Sequence, residues 1–337
     1  MIKEGILEMD TLLEVKNLKT YFYTPDKREI PAVDDVSFKV NRGETLCIVG
    51  ESGCGKSVTS LSIMRLVATP PGKYVSGQIL FEGKNLLAMS TKEIRKLRCK
   101  EIAMIFQEPM TALNPVHKIG AQIEEALIIN ERIDKKTASE KTVELLRMVG
   151  VPDPARCANS YPHQLSGGMR QRAMIAMAFS CEPKLLLADE PTTALDVTIQ
   201  AQILDLIQTL KEQHGMTVVF VTHDLGIVAD IAQRVIVMYA GRVVEDASCS
   251  ELFRNPLHPY TRGLLNCIPR IDDDREELDT IEGQVPTPAN FPTGCRFHPR
   301  CPKAMEICKC IAPQSVDVGN HVVACHLYAE ESNNSVE

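Results

Sequence analysis

Residues 50–57 constrain the fold of this chain more than any other segment. They read Gly-Glu-Ser-Gly-Cys-Gly-Lys-Ser, follow the apolar residues 45–49 and precede residues 57–66, whose apolar side chains recur at helical spacing. Gly50 and Gly55 permit backbone torsions and close approaches that a side chain would block. A strand, a glycine-rich loop and a helix in this order predict a loop whose N–H groups point inward, beside the positive end of the helix. Such a loop binds nucleotide phosphates.

The last two residues of this loop indicate its chemistry. We expect the ammonium group of Lys56 to contact the β- and γ-phosphates and the hydroxyl of Ser57 to bind magnesium. A glycine turn that only exposes a lysine is the alternative, and the flanking strand and helix disfavour it. The residues predicted to contact the nucleotide here are Gly50, Ser52, Gly53, Cys54, Gly55, Lys56, Ser57 and Val58.

A second predicted site is a pair of acids at the end of a buried strand. Residues 185–188 read Leu-Leu-Leu-Ala and are followed by Asp189 and Glu190. A carboxylate at that strand end is costly without a cation, so we expect Asp189 to belong to the magnesium shell, directly or through water. We expect Glu190 to polarise the attacking water as a general base. An isolated Asp-Glu pair would be a polar strand end, but the phosphate loop upstream favours the catalytic interpretation.

A third motif is a helix that begins with two glycines. Ser166 is a good N-cap, and Gly167 and Gly168 leave bare amides at the tip of the helix. These amides form a second predicted anion site, although a chain with one phosphate loop needs only one. The simplest explanation is that this tip closes on a nucleotide that another subunit holds.

Around these motifs, strands and helices alternate, which predicts an α/β core with a largely parallel sheet. Strands besides 45–49 are predicted at 12–15, 36–40, 77–81, 102–106, 185–188, 218–221 and 235–238. Helices besides 57–66 are predicted at 119–130, 135–149, 169–179 and 197–213. We predict an α/β core from residues 1–107 and 181–254, an inserted helical subdomain at 108–180, and a C-terminal extension at 255–337 with little regular structure.

Composition excludes several other classes of protein. The chain has 337 residues, a net charge of −7 and 44% hydrophobic residues, so it can build a real core but lacks the bulk positive charge of many nucleic-acid binders. We therefore expect no nucleic-acid partner. Residues 1–10 do not resemble a secretory signal, and no run of about 18 apolar residues occurs, so a role at a membrane requires separate partner subunits.

Taken together, these motifs resemble those of the ATP-binding-cassette (ABC) ATPases. Residues 165–171, Leu-Ser-Gly-Gly-Met-Arg-Gln, match the signature motif of that family. The resemblance implies a P-loop core, a Q-loop residue Gln107 that touches magnesium and water, a D-loop at Ala194-Leu195-Asp196 that crosses the dimer interface, and a switch residue His223 at the γ-phosphate. It also implies an aromatic ring on adenine, which we assign to Phe22, with Tyr21 or Tyr23 as alternatives.

Five of the twelve cysteines lie between residues 295 and 325. Without a secretion signal, a metal is favoured over disulfides, and four thiolates suit zinc and an iron–sulfur cluster equally. This tail resembles that of the oligopeptide/dipeptide importer ATPases, in the His-Pro-Tyr sequence at 258–260 and in residues 294–301. The resemblance implies a 4Fe–4S cluster on Cys295, Cys301, Cys308 and Cys325, and leaves the role of Cys310 open.

The importer resemblance implies an ATPase subunit at the cytoplasmic face of the cell membrane. Its implied partners are a second ABC ATPase subunit, identical or paralogous, two membrane permease subunits and, indirectly, an extracytoplasmic solute-binding protein. Dipeptides or oligopeptides are the expected cargo, with nickel or another small solute as the alternative. A soluble ABC ATPase without a transport role is a further alternative, as is a redox or iron sensor that uses the cassette as a scaffold.

Overall fold

The computed structural model of the chain describes residues 10–193, 195–267 and 280–329. Its strands are β1 Thr11–Tyr23, β2 Glu29–Asn41, β3 Thr45–Val49, β4 Gly72–Phe81, β5 Lys84–Asn85, β6 Ile102–Ile105, β7 Leu185–Asp189, β8 Thr217–Val221, β9 Arg234–Tyr239, β10 Arg242–Ser248, β11 Val316–Asp317 and β12 Val322–Val323. Its helices are α1 Lys56–Ile63, α2 Thr91–Leu97, α3 Pro109–Ala112, α4 Ile119–Glu131, α5 Lys135–Met148, α6 Pro154–Asn159, α7 Gly167–Phe179, α8 Val197–His214, α9 Leu225–Ile231, α10 Cys249–Arg254, α11 Pro259–Asn266 and α12 Glu306–Cys310.

The chain divides into two compact units, which we name by the motifs that they carry. The phosphate-loop unit consists of Thr11–Val40, Thr45–Leu87 and Val221–Glu337. The carboxylate unit consists of Met1–Asp10, Asn41–Glu44 and Ala88–Phe220. Residues 50–57 lie in the first unit, and the acidic pair and the double-glycine helix start lie in the second.

The phosphate-loop unit contains two groups of strands. One has the order β2-β1-β4-β5, and the other has the order β11-β12-β10-β9-β3. Strand β3 pairs in parallel with β9, so that Val49 lies opposite Val237. All five residues of β3 are buried, and the phosphate loop begins directly after it. The loop therefore starts from a fixed, fully buried strand.

The prediction of a largely parallel sheet holds for only part of the structure. In this unit β1 pairs antiparallel with β4, β4 with β5, β9 with β10 and β10 with β12. Between β9 and β10 no helix crosses over, because Tyr239 and Arg242 pair directly around Ala240 and Gly241. Both turn residues have positive φ, +47° and +82°, as a tight two-residue hairpin requires. Such a turn can only connect antiparallel strands.

The carboxylate unit combines three strands with a group of helices. Its strands follow the order β8-β7-β6, and β6 pairs in parallel with β7. Helices α4, α5, α6 and α7 pack against one another. Their buried faces include Ile123, Leu127, Leu146 and Met174. Each predicted helix of the 119–179 region is therefore present, as α4, α5 and α7.

Several element ends differ from the sequence predictions. Strands β1 and β2 are each 13 residues long, whereas the predicted strands 12–15 and 36–40 are shorter. The prediction followed only the most apolar residues, and both strands continue through half-buried and exposed ones. Helix α7 begins at Gly167 because Ser166 caps it, two residues before the predicted start.

The C-terminal residues 255–267 and 280–329 contain only short helices and two-residue strands. They form α11, the single-turn α12 and the two-residue strands β11 and β12. Strand β12 pairs with β10, which attaches this region to the sheet of its unit. Within the described part of the chain, no helix combines the length and the apolar character that crossing a membrane requires.

Candidate nucleotide-binding residues

The phosphate loop lies between β3 and α1 and depends on two glycines. Gly50 has a φ of +147°, and a Cβ added to it would lie 2.2 Å from the carbonyl oxygen of Met238. Gly55 has a φ of +102°, and its added Cβ would lie 2.4 Å from the carbonyl oxygen of Ala32. Only glycine fits either position without displacing backbone. The role expected of Gly50 and Gly55 in shaping the loop agrees with this geometry.

Lys56 folds its side chain back onto the loop. Its Nζ atom donates to the carbonyl oxygens of Gly50 at 2.7 Å and Glu51 at 3.2 Å, and it lies 3.8 Å from Sγ of Cys54. The residue is only 5% exposed. Burial raises the pKa of the Cys54 thiol, although the ammonium of Lys56 opposes that shift. The positive charge of Lys56 is thus held against the backbone of the loop.

The other predicted residues of the loop differ in exposure. Ser52 and Gly53 are exposed, whereas Ser57 and Val58 are half-buried at the start of α1. His223 is also exposed, in the same unit, two residues after the end of β8. The neighbouring Asp224 caps α9 by accepting hydrogen bonds from the amides of Gly226 and Ile227.

The three candidate adenine-stacking aromatics lie side by side near the end of β1. The Tyr21 hydroxyl donates to Oδ1 of Asp34 at 2.7 Å, and burial together with that carboxylate raises the pKa of Tyr21 to about 12. The Tyr23 hydroxyl donates to Oε1 of Glu29 at 3.2 Å. Phe22 is half-buried and has no polar group to engage. These contacts leave the assignment of Phe22 as a prediction.

In the carboxylate unit, Asp189 ends the fully buried strand β7 and is 5% exposed. Glu190 follows with a φ of +45°, a left-handed conformation that costs energy for a residue with a side chain. Its Oε2 atom accepts hydrogen bonds from Nε2 of Gln107 at 2.9 Å and from Oγ1 of Thr193 at 3.0 Å. The structure therefore brings together Gln107 and Glu190, which are 83 positions apart in the chain.

Two contacts in this region escaped the sequence analysis. Thr193 lies on the turn after Glu190, where its amide donates to the Glu190 carbonyl at 3.2 Å. Gln171, the last residue of the signature motif, donates from Nε2 to the carbonyl of Pro191 at 2.5 Å. The three-residue spacing from Glu190 to Thr193 was a usable signal for a turn. The Gln171 contact had no local signal.

Ser166 caps α7, as the sequence predicts, because its Oγ accepts a hydrogen bond from the amide of Met169 at 3.4 Å. Ser166 and Gly167 are exposed, and Gly168 is half-buried beside Ile199 of α8. Asp196 caps α8 and accepts a hydrogen bond from the amide of Ile199 at 2.9 Å. Ala194, the first predicted residue of the D-loop, lies outside the described residues.

The cysteine-rich segment belongs to the phosphate-loop unit. Cys308 and Cys325 are buried, Cys295 and Cys301 are half-buried, and Cys310 is exposed. Burial raises the pKa of Cys325 to about 11, and repulsion from Cys295, Cys301 and Cys308 adds to the shift. Among the described residues, however, no group of three or more His, Cys, Asp or Glu residues is arranged to hold a metal ion. The predicted 4Fe–4S cluster and its zinc alternative receive no support from this arrangement.

Comparison with known proteins places these motifs in a family. The model described as ABC transporter matches residues 33–193, and the one described as oligopeptide/dipeptide transporter, C-terminal region, matches residues 244–308. The oligopeptide transport ATP-binding protein AppD of Bacillus subtilis (strain 168) is 55% identical over 324 residues, which cover 96% of this chain and 98% of AppD. The dipeptide transport ATP-binding protein DppD of Haemophilus influenzae is 49% identical over 326 residues, which cover 97% of this chain and 98% of DppD.

A solved structure shows the same fold. It is a dimeric structure of a post-hydrolysis state of the ATP-binding cassette MJ0796 bound to ADP and Pi, with a TM-score of 0.63 and 30% identity. The match covers 70% of this chain and 98% of that one. The fold is thus that of the ABC ATPases, with a phosphate loop and mixed α/β sheets. The chain belongs to the ABC transporter family, as an ATP-binding protein with the C-terminal region of oligopeptide/dipeptide transporters.

Proposed function

We propose that this protein is the ATP-hydrolysing subunit that powers import of dipeptides or oligopeptides through membrane partner subunits. The contact between Gln107 and Glu190 carries the enzymatic part of the proposal, because it orients the carboxylate of a general base with a side chain of the Q-loop. The names of AppD and DppD, two relatives that this chain matches almost end to end, support peptides as the cargo.

The proposed roles follow from side-chain chemistry. Lys56 and the loop amides bind the phosphates, and Phe22 stacks on adenine. Ser57, Gln107 and Asp189 would hold magnesium, which when bound would screen the charge that develops on the phosphates. Glu190 takes a proton from the attacking water, while Gln107 and Thr193 keep its carboxylate oriented. His223 contacts the γ-phosphate.

We propose that the exposed start of α7 completes the nucleotide site of a second cassette subunit. Ser166, Gly167 and Gly168 would supply amides and a hydroxyl to that nucleotide, and Asp196 would lie at the interface. The dimeric state of the cassette MJ0796 with ADP and Pi supports this arrangement. Light scattering of the chain alone, and with the cassette subunit that co-purifies with it, decides whether the second subunit is a copy of this chain or a paralogue.

We assign docking to the membrane subunits to residues 107–115 and to the helical subdomain 108–180. In the sequence, this subdomain is inserted between the core segments 1–107 and 181–254. The segment reads Gln-Glu-Pro-Met-Thr-Ala-Leu-Asn-Pro, and its two prolines stiffen it. Met110 is 44% exposed and Val116 is 73% exposed, so apolar surface is available there for a partner helix. Docking through this segment would make the protein a peripheral subunit at the cytoplasmic face of the membrane.

The cysteine-rich extension 255–337 is a separate part of the proposal. A 4Fe–4S cluster on Cys295, Cys301, Cys308 and Cys325 rests on the family resemblance alone, and the arrangement of the described residues does not fit a metal ion. No step of hydrolysis is routed through it. Iron and acid-labile sulfide in anaerobically purified protein would support the cluster, whereas one zinc ion per chain would contradict it.

The proposed function is tested by co-purifying the chain with its membrane subunits and measuring phosphate release in lipid vesicles. We expect the solute-binding protein loaded with a dipeptide or oligopeptide to raise the rate, and the unloaded protein to leave it low. Stimulation by nickel but not by peptides would support the alternative cargo. Hydrolysis by a chain that never associates with membrane subunits would support the soluble alternative.

A further inference from the structure

The C-terminal region holds Glu51, the second residue of the phosphate loop, at two points. The guanidinium of Arg300 donates from Nη1 to Oε2 of Glu51 at 2.8 Å and from Nη2 to Oε1 at 3.1 Å. The backbone amide of Glu51 donates to the hydroxyl of Tyr260 at 2.9 Å. Arg300 and Tyr260 follow Glu51 by 249 and 209 positions, so a distant part of the chain determines where Glu51 lies.

The side chain of Arg300 is buried, and all of its N–H groups donate hydrogen bonds. Its side chain is 5% exposed, and all three of its nitrogen atoms donate hydrogen bonds. Besides the two bonds to Glu51, Nε donates to the carbonyl of Glu282 at 3.0 Å, Nη2 to that of Ile281 at 3.2 Å, and Nη1 to the hydroxyl of Tyr239 at 3.4 Å. These five bonds match the five N–H donors of a guanidinium group. The contact with Glu51 also raises the pKa of Arg300, so its charge is permanent.

Tyr260 is fixed as firmly as Arg300. It is fully buried, and its ring packs 4.6 Å from the ring of Tyr239 and 5.4 Å from that of Phe297. Its backbone amide donates to Nδ1 of His258 at 3.0 Å. Burial lowers the pKa of His258 to about 4, so this imidazole is neutral and can accept that bond at neutral pH. The acceptor that the Glu51 amide uses is therefore rigid.

The charge of Glu51 explains why the loop needs Arg300. A carboxylate on a loop that binds phosphates repels the anion it should bind. Arg300 neutralises it with a bidentate pair, the strongest geometry for arginine and a carboxylate. The carbonyl oxygen of Glu51 also accepts a hydrogen bond from Nζ of Lys56 at 3.2 Å. A shift of Glu51 would therefore move the loop lysine as well.

We propose that Arg300 and Tyr260 are positioning residues of the phosphate loop, through which the C-terminal region sets the affinity for nucleotide. The inference rests on the proposed nucleotide-binding function and assigns a task to the C-terminal region within it. Arg300 directly precedes Cys301, so a displacement of this cysteine-bearing turn is transmitted to Glu51. Neither residue touches the nucleotide; both act by holding Glu51.

The test is a double-mutant cycle on the full chain with a magnesium-bound, non-hydrolysable ATP analogue. We expect Arg300→Ala to weaken binding about tenfold, because it leaves the Glu51 carboxylate unpaired. In the Glu51→Gln background the same substitution should cost at most about twofold, since no charge is left unpaired. Tyr260→Phe should weaken binding less than Arg300→Ala, because the Glu51 amide loses its acceptor but no charge is exposed.

Two controls separate positioning from general damage. Arg254→Ala removes an exposed arginine of the same unit, whose side chain is 78% exposed, and should bind like the wild type. Arg300→Lys keeps the positive charge and serves as the test variant if Arg300→Ala fails to fold. We expect its affinity for the analogue to lie between the wild-type value and the roughly tenfold loss expected for Arg300→Ala. In hydrolysis assays, Arg300→Ala should raise KM for ATP far more than it lowers kcat.

The binding measurements distinguish failure of the positioning role from failure of the proposed function. Wild-type affinity in folded Arg300→Ala would overturn the inference, and so would an equal loss in the Glu51→Gln background. Failure of the wild-type chain to bind the analogue would instead overturn the proposed function.

Discussion

His321 and Glu245 form a buried pair in which Nε2 of the imidazole lies 2.6 Å from Oε1 of the carboxylate. Glu245 is fully buried on β10, and His321 is 4% exposed. The same carboxylate accepts hydrogen bonds from the amides of Leu257 at 2.7 Å and His258 at 3.0 Å. The Glu245 carboxylate thus binds both the start of the C-terminal region, at Leu257 and His258, and His321 in its later part.

We predict that Glu245→Ala lowers the free energy of unfolding by about 3 kcal/mol, because two amides and an imidazole lose their buried acceptor. Urea unfolding at neutral pH measures the change. Glu251→Ala is the matched control, since that side chain is 48% exposed and its loss should change stability little. Equal stability of the two variants would contradict the structural role of Glu245.

The same pair predicts a dependence of stability on acid. Burial alone would raise the pKa of Glu245, but the bonds from His321 and the backbone amides outweigh it, and the pKa lies below its usual value of 4.5. A lowered pKa stabilises the folded state above pH 4.5, and that stability is lost as the pH falls through the folded-state pKa. As the pH falls below 4.5 and through the folded-state pKa, the wild type should therefore lose more unfolding free energy than Glu245→Gln. Identical losses would contradict this assignment.

Lys56→Ala should weaken binding of ATP about 100-fold, because the loop loses the cation that its carbonyls hold in place. Equilibrium binding of a fluorescent ATP analogue measures this effect. Lys84→Ala removes an exposed lysine of the same unit and should bind normally. If the folded Lys56→Ala chain bound the ATP analogue as tightly as the wild type, the phosphate-binding role of Lys56 would be contradicted.

Ser166→Arg should prevent the nucleotide-dependent pairing of two cassette subunits by placing a bulky cation at the exposed start of α7. Light scattering of the chain with magnesium and ATP, alone and with the cassette subunit that co-purifies with it, measures the pairing. Ser166→Ala removes the helix cap, which costs about 1 kcal/mol, and the hydroxyl proposed to contact the nucleotide. It should weaken pairing only in part, because the amides of Gly167 and Gly168 remain. Pairing by Ser166→Arg would argue against an interface at this helix tip.

The local parts of the nucleotide site could be predicted because their signals lie within a few residues. Gly50 and Gly55 indicate a backbone conformation that no other residue fits, and Ser166 indicates the start of a helix. A buried strand that ends in Asp189 is equally visible, since its apolar run is continuous.

Contacts between distant segments could not be predicted in this way. The pairing of Arg300 with Glu51 spans 249 positions, and that of His321 with Glu245 spans 76. In the sequence, each of these residues resembles an ordinary surface charge. Only the packed fold shows that Arg300, His321 and Glu245 are buried and that Glu51 is half-buried. The antiparallel pairing of β9 and β10 was missed for a different reason, because Ala240 gives little sign of a positive φ.

Glu190→Gln provides the most direct test of the central claim, that this chain hydrolyses ATP with Glu190 as the general base. Phosphate release and ATP binding are measured on the assembled transporter, with Glu140→Gln, an exposed site on α5, as the control. We predict that Glu190→Gln binds ATP as tightly as the wild type but releases phosphate about 100-fold more slowly, and that the control matches the wild type in both measurements. Phosphate release by Glu190→Gln at the wild-type rate would contradict the claim.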